Sequence, residues 1–134
     1  ILWSGMATSR EAAQIRKALL TLEGRGGIIA SDVNTGKQWD APFAWAPHQF
    51  FAVVGLQKYG YTKDAERIAK KWVDVNHEIF LRQGTFLEKI DGVAGREPEE
   101  SGDRYVTQTG FLWTNAVFTY FLSEVLSEKF IPIN

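Results

Sequence analysis

The spacing of apolar residues along the chain predicts four helices. Each has apolar side chains three or four residues apart on one face and polar side chains on the other. Residues typical of helix starts support two of the boundaries: Thr8 or Ser9 can cap the first helix, and Pro47 suits the first turn of the second. The predicted helices cover residues 9–23, 47–59, 63–82 and 113–129.

Two long loops separate these helices. Residues 28–46 contain a turn-like stretch and a proline-punctuated aromatic end, and we expect only a short extended piece at residues 28–30. Residues 92–109 are polar and glycine-rich, and they follow a short extended segment at residues 86–91. Loops of this length within a compact domain are usually functional, so we expect the site to lie here.

The order of these elements predicts an all-α fold. A tight turn joins the second and third helices, which should form an antiparallel hairpin with the long loops collected at one end. Periodicity alone fits a toroid of paired helices and equally a plain four-helix bundle. Aromatic residues at core spacing are assigned to the core: Trp72, Phe80, Phe118 and Phe121, together with Phe50 and Phe51.

The composition is that of a globular protein and excludes several classes of function. The net charge of -1 over 134 residues provides no basic field for nucleic acid or an acidic membrane surface. No apolar run is long enough to cross a bilayer. The chain has no cysteine, and His48 and His77 lie too far apart to form a local metal motif. We predict no metal and no other cofactor; the cellular compartment stays open.

Each long loop places carboxylates among aromatic side chains, which suits carbohydrate chemistry. Inverting hydrolysis of a glycosidic bond needs two carboxylates, one as acid to the leaving oxygen and one as base to a water. Glu88 is a favoured candidate, because a charge in an apolar-flanked segment is either paired or functional. The remaining candidates, for which a solvated surface position is the simpler explanation, are Asp32, Asp40, Asp91 and the cluster from Glu97 to Asp103.

Four blocks of the sequence, taken in order, resemble the trehalase family. Residues 38–47 read QWDAPFAWAP, similar to the signature QWDxPxGWxP except that Ala44 replaces glycine. Residues 55–60 (GLQKYG), 88–91 (EKID) and 110–115 (GFLWTN) are similar to the family's GLxxYG, EKYD and GFGWTN. The four blocks together span most of the chain.

This resemblance implies a fold, an activity and a set of site residues. The fold would be part of an (α/α)6 toroid, and the activity would be hydrolysis of α,α-trehalose to glucose with inversion. Glu88 would be the general base that activates water, and the partner would be a small sugar. The implied substrate-binding residues are Gln38, Trp39, Asp40, Trp45, Phe111 and Trp113. Of these, Trp45 and Trp113 would shape or support the wall of the sugar site.

The chain departs from the family pattern close to the implied site. Ile90 and Leu112 replace tyrosine and glycine, and Arg104 precedes Tyr105 where the family has a sugar-binding glutamate. The second glucose site therefore does not carry over. Hydrolysis of another α-glucoside, or a non-catalytic helical module, are the alternatives.

The general acid of the family comes from a more N-terminal segment, and nothing before Gln38 resembles that segment. Four helices also fall short of the about twelve in a toroid and would leave apolar faces uncovered. We therefore expect residues 1–134 to be the C-terminal portion of a trehalase-like catalytic domain. The rest of that domain, or a partner chain, would cover those faces, and this portion alone would be inactive.

Overall fold

The structure is a computed structural model that describes residues 1–99 and 104–127. About half of this part is helical, and each of the four predicted helices is present. The helices are α1 (Ser9–Thr21), α2 (Ala46–Lys58), α3 (Thr62–Gln83) and α4 (Leu112–Tyr120), the last continued by a π-helical turn (Phe121–Val125). The strands are β1 (Glu23–Gly24), β2 (Gly27–Ile28), β3 (Phe43–Trp45) and β4 (Lys89–Asp91).

The first helix begins as predicted but ends early. The Glu11 N–H donates to the Thr8 hydroxyl oxygen, and the Glu11 carboxylate accepts from the Thr8 N–H at 2.7 Å. This reciprocal pair is a capping box, which fixes the start of α1. The helix ends at Thr21 instead of residue 23, because Glu23 begins the hairpin formed by β1 and β2.

The last helix changes its hydrogen-bond pattern part-way along. The sequence predicts one helix over residues 113–129, whereas the α-helical part ends at Tyr120 and a π-helical turn follows. Phe121 and Val125, at the two ends of this turn, are both buried in the core. The predicted end at residues 128–129 lies outside the described residues.

The core lies largely between α2 and α3, which pack against each other across a short turn at Gly60. Gly60 has φ +78, a left-handed conformation that suits glycine at the end of a helix. Trp72 and Phe121 are completely buried, which confirms their assignment to the core. The other large side chains without exposed surface on α2 and α3 are Leu56, Ile68, Ile79, Gln49, Val53 and Asn76.

Two of the predicted core aromatic residues lie at the surface. Phe80 and Phe51 are 41% and 48% exposed, so their assignment to the core is wrong. Phe80 lies near the C-terminal end of α3 and packs on Phe86, with ring centroids 4.9 Å apart. Phe51 instead meets Trp3 on the outer side of α2. Helical spacing identifies the face of the helix on which a residue lies. It does not tell how deeply the side chain is buried when the residue lies near a helix end or beside an exposed segment.

Residues 43–45 form a strand although the sequence pattern predicts a loop there. This strand, β3, pairs antiparallel with β4, so that Phe43 faces Asp91 and Trp45 faces Lys89. The all-α prediction therefore holds for the helices but misses the two small sheets. The β3–β4 sheet brings the two long loops together.

Gln49 on α2 holds β2 and the end of β3, and Gly92 lets the end of β4 approach β3 closely. The Gln49 side chain accepts from the Ile28 N–H at 2.8 Å and donates to the carbonyls of Ile28 and Trp45. A Cβ atom at Gly92 would lie 2.6 Å from the Cβ of Ala44, so only glycine allows this close approach. The loops are therefore fixed on the α2 side of the core.

An apolar groove of about 530 Å³ lies between α1 and α2. Its walls include Leu19, Leu22, Ile28 and the exposed rings of Trp3 and Phe51. This groove is distinct from the β3–β4 sheet, next to which the predicted base, Glu88, lies. Within residues 1–99 and 104–127, no helix has the length and apolar character needed to cross a membrane.

Candidate active site

Glu88 lies immediately before β4 and is only 4% exposed. Its N–H donates to the Gln108 carbonyl at 2.8 Å, and its carbonyl accepts from the Trp113 indole N–H at 3.0 Å. The carboxylate oxygens have different surroundings. Oε1 accepts a 2.7 Å hydrogen bond from the Tyr105 hydroxyl, whereas Oε2 is buried without a hydrogen-bond partner among the described residues. One oxygen is thus held in place while the other remains available as an acceptor.

Lys89 places a buried positive charge beside Tyr105, the residue that donates to this carboxylate. Its side chain is completely buried, and Nζ lies 5.0 Å from the ring centre of Phe43, 5.7 Å from that of Trp45 and 4.8 Å from that of Tyr105. Aromatic faces attract such a cation electrostatically. Tyr105 therefore contacts both the cation and the Glu88 carboxylate, and the three side chains form one cluster.

Four of the predicted sugar-site residues form an aromatic cluster. Trp39 stacks on Trp45 with ring centroids 3.9 Å apart and planes 13° from parallel. Trp113 presents its edge to both, at 6.3 and 5.9 Å, and contacts Phe111 at 4.7 Å. Trp45 is buried and Trp39 is 53% exposed, so the cluster leaves an indole surface accessible. Because the Trp113 indole also donates to the Glu88 carbonyl, this surface adjoins the predicted base.

Asp40 holds the loop on which Trp39 stands. Its Oδ2 accepts from the N–H and hydroxyl of Thr35 at 2.6 Å each, and from the Lys37 N–H at 3.3 Å. Its Oδ1 accepts from the Arg104 guanidinium at 3.1 Å. The hydrogen bond from the Thr35 hydroxyl, with those of the backbone and Arg104, lowers the pKa of Asp40 to about 2 against the opposing effect of burial. The carboxylate is thus ionised and engaged by protein donors.

We expect Asp40 to make the stability of the protein depend on pH in the acidic range. Because its folded-state pKa is depressed from 3.8 to about 2, its contribution is complete above about pH 4 and is lost as the pH falls toward 2. The difference in unfolding free energy between wild type and Asp40→Asn should shrink over that range. Urea unfolding of both proteins at several pH values measures this difference. The contributions of the other carboxylates cancel, because these residues are the same in both proteins. A difference that does not vary with pH would contradict the prediction.

Gln38 and His48 are placed differently from the aromatic cluster. Both amide atoms of Gln38 are buried without a hydrogen-bond partner in the described part of the chain, so the structure does not tie this residue to Glu88. His48 lies edge-on to Trp39, with ring centroids 5.7 Å apart, and its Nδ1 is likewise buried and unpartnered there. Burial lowers the pKa of His48. His48 is therefore a polar group beside the indole surface, whereas Gln38 is next to Trp39 in the sequence.

The sequence pattern does not assign a site role to Tyr105, Arg104 or Lys89. In the structure, Tyr105 donates to Glu88, and Arg104 donates to Asp40. Their positions depend on the return of the chain alongside Glu88, where Leu87 bridges to Thr109. The only sequence feature that could have indicated this return is the QTGFLWTN stretch (residues 108–115). It contains Thr109, which bridges to Leu87, and Trp113, whose indole donates to the Glu88 carbonyl.

The other candidate carboxylates show no such arrangement. Glu97 pairs with Arg82 at 3.0 Å, and Asp91 accepts from the Ala94 N–H at 2.8 Å. Glu100 and Asp103 of the predicted cluster lie outside the described residues. In the described ranges, no three His, Asp or Glu side chains are grouped closely enough to hold a metal ion.

Comparison with known proteins supplies the family context for this geometry. The trehalase family model matches residues 1–126. The structure is similar to that of the neutral trehalase from Saccharomyces cerevisiae, with a TM-score of 0.68 and 31% sequence identity over 91% of this chain. The match covers 22% of the yeast chain, so this chain spans about a fifth of the length of that relative.

Proposed function

This chain belongs to the trehalase family, and from that premise we propose that it supplies the general-base part of a glycoside hydrolase site that cleaves α,α-trehalose with inversion. The observation that carries the proposal is the divided environment of the Glu88 carboxylate. Tyr105 occupies Oε1, and Oε2 is the buried acceptor with no partner among the described residues. An immobilised carboxylate with one unpartnered oxygen is an arrangement that suits a general base.

The proposed step begins with a water that donates a hydrogen bond to Glu88 Oε2. As the water oxygen forms a bond to the anomeric carbon, its proton passes to Oε2 and the bond from that carbon to the bridging oxygen breaks. The leaving glucose oxygen receives a proton from a general acid on the opposite face of the sugar. Attack from the face opposite the leaving group releases the attacked glucose as the β anomer.

The exposed indole of Trp39 is proposed as the platform on which a glucose ring stacks. Trp45 stacks on one face of it at 3.9 Å, and Trp113 packs against it in a T-shaped arrangement at 6.3 Å. A rigid aromatic face offers apolar area to the C–H groups of a sugar at little cost in conformational entropy. The substrate-binding roles of Gln38, Asp40 and Phe111 stay predictions.

We propose that the general acid comes from a part of the enzyme other than these 134 residues. The chain matches 22% of the length of the yeast trehalase, and its N-terminal third contains nothing similar to the acid-bearing segment of the family. Residues 1–134 would then be the C-terminal portion of the catalytic domain, and the remainder would cover the apolar groove between α1 and α2. The chain alone would not release glucose.

The product anomers of the complete enzyme that contains these residues test the proposed function. Proton NMR during the first turnovers on trehalose should show α- and β-glucose in equal amounts, because only the attacked ring inverts. A product that is α-glucose alone would exclude inversion. Faster cleavage of maltose or kojibiose than of trehalose would favour the alternative substrate class. Glucose release by residues 1–134 alone would contradict an acid from elsewhere.

A further inference from the structure

Arg104 makes an unusually dense set of contacts for a residue in a loop. Its side chain is 5% exposed. One terminal nitrogen donates to Asn34 Oδ1 at 3.0 Å, Asp40 Oδ1 at 3.1 Å and the Ala41 carbonyl at 2.9 Å, and Nε donates to the Lys37 carbonyl at 3.3 Å. All four acceptors belong to the loop that carries Trp39.

The guanidinium group suits this role better than a lysine would. Its planar fork addresses several acceptors at once, and its flat face lies 4.5 Å from the ring centre of Phe43 on β3. An ammonium is a compact point charge that cannot reproduce both the fork and the stacking. Because the pair with Asp40 is buried, removal of one partner leaves the other desolvated and unpaired.

The same residue is directly connected to the base. The next residue, Tyr105, donates to Glu88 Oε1 at 2.7 Å, and the Gln108 carbonyl accepts from the Glu88 N–H. On the other side of the link, Asp40 directly follows Trp39. The contacts of Arg104 therefore join two parts of the site: the loop with the indole platform and the segment that holds the carboxylate.

We propose that Arg104 is a positioning residue that latches the Trp39 loop to the Tyr105 segment and so fixes the distance between the sugar platform and the base. It acts through Asp40 on one side and through Tyr105 on the other, without touching the substrate. This inference rests on the proposed function of Glu88. In a site where a displacement of about 1 Å costs roughly a hundredfold in rate, such a latch affects both binding and turnover.

The test uses Arg104→Gln, Arg104→Lys, Asp40→Asn and the double variant Arg104→Gln/Asp40→Asn in the complete enzyme. We expect each Arg104 variant to lower kcat/KM for trehalose by about tenfold to a hundredfold, with changes in both kcat and KM. Lysine should restore little of the loss. The double variant should be no worse than the more impaired single variant, because both substitutions break one link.

Two further measurements separate the latch from a general effect on folding. First, kcat is calculated per folded enzyme molecule. If Arg104 had only a structural role, its variants would contain less folded enzyme, but the folded molecules would keep wild-type kcat and KM. Trehalose binding is measured by calorimetry in a Glu88→Gln background, where Arg104→Lys should weaken it. Where Arg104→Gln does not fold, Arg104→Lys and Asp40→Asn provide the same comparison.

The outcomes distinguish this inference from the proposed function. Folded Arg104 variants with kcat and KM within twofold of wild type would overturn the latch, even if Glu88→Gln is inactive. Fully additive losses in the double variant would overturn it as well. Wild-type turnover by Glu88→Gln would instead remove the proposed function on which the latch depends.

Discussion

Glu88→Gln is expected to lower kcat for trehalose by about a thousandfold in the complete enzyme, within the range that a general base contributes. The amide keeps the size of the side chain and leaves an oxygen for the Tyr105 hydroxyl, but it cannot take a proton from water. Because the substitution affects a group that acts in the transition state, trehalose binding should stay close to wild type. Steady-state rates and calorimetric binding with the same preparation measure the two quantities.

Glu97→Gln is the matched control for this substitution. Glu97 is also a loop carboxylate, but it forms a surface ion pair with Arg82 and accepts a hydrogen bond from Gln83. Its amide variant should keep kcat within about twofold and lose at most about 1 kcal/mol of stability, as is typical of exposed ion pairs. Equal losses of kcat in both variants would mean that Glu88 has no special role, and wild-type kcat in Glu88→Gln would remove it from the mechanism.

Trp45→Ala is expected to destabilise the fold by about 3–5 kcal/mol, the cost of truncating a large aromatic side chain in a core. Trp45 is completely buried, stacks on Trp39 and lies beneath the Lys89 ammonium. Its removal leaves a cavity at the junction of β3 and β4. Urea unfolding monitored by far-UV circular dichroism measures the change.

Trp39→Ala tests the other half of the same stacked pair. Because Trp39 is half exposed, its loss should cost no more than about 1–2 kcal/mol of stability. If it is the sugar platform, its loss should raise KM by about tenfold, equivalent to roughly 1.4 kcal/mol. A Trp39→Ala enzyme with unchanged KM would exclude the platform, and a Trp45→Ala protein as stable as wild type would show that the junction can collapse around the missing ring.

Helices were the predictable part of this fold, because three or more turns with one apolar face leave a readable period. α3 illustrates this well, from its apolar stripe to Gly84, whose left-handed φ of +70 ends it. β4 lies within the extended segment predicted at residues 86–91, whereas β3 has only three residues, too few for a strand period to be recognised. Their pairing depends on close approach at Gly92, which is a tertiary contact with no local signal.

The site could be predicted one residue at a time but not as an arrangement. A charge between apolar neighbours singled out Glu88, and its burial agrees with that physical reason. The role of Tyr105 could not be predicted in this way, because it lies seventeen residues further along and reaches Glu88 only through the return of the loop. Asp40 shows the reverse case: the resemblance implies a sugar contact, while its carboxylate oxygens accept hydrogen bonds from three neighbouring residues.

The pairing of β3 with β4 also determines when the site can form during folding. Trp45 and Lys89 are 44 residues apart in the sequence, so their contact requires closure of a loop that contains all of α2 and α3. Such closure costs entropy before any pairing energy is gained. Local helix formation alone cannot bring the proposed platform, Trp39, and the proposed base, Glu88, together. Hydrogen exchange at the β3 and β4 amides should therefore require an opening more extensive than the fraying of helix ends.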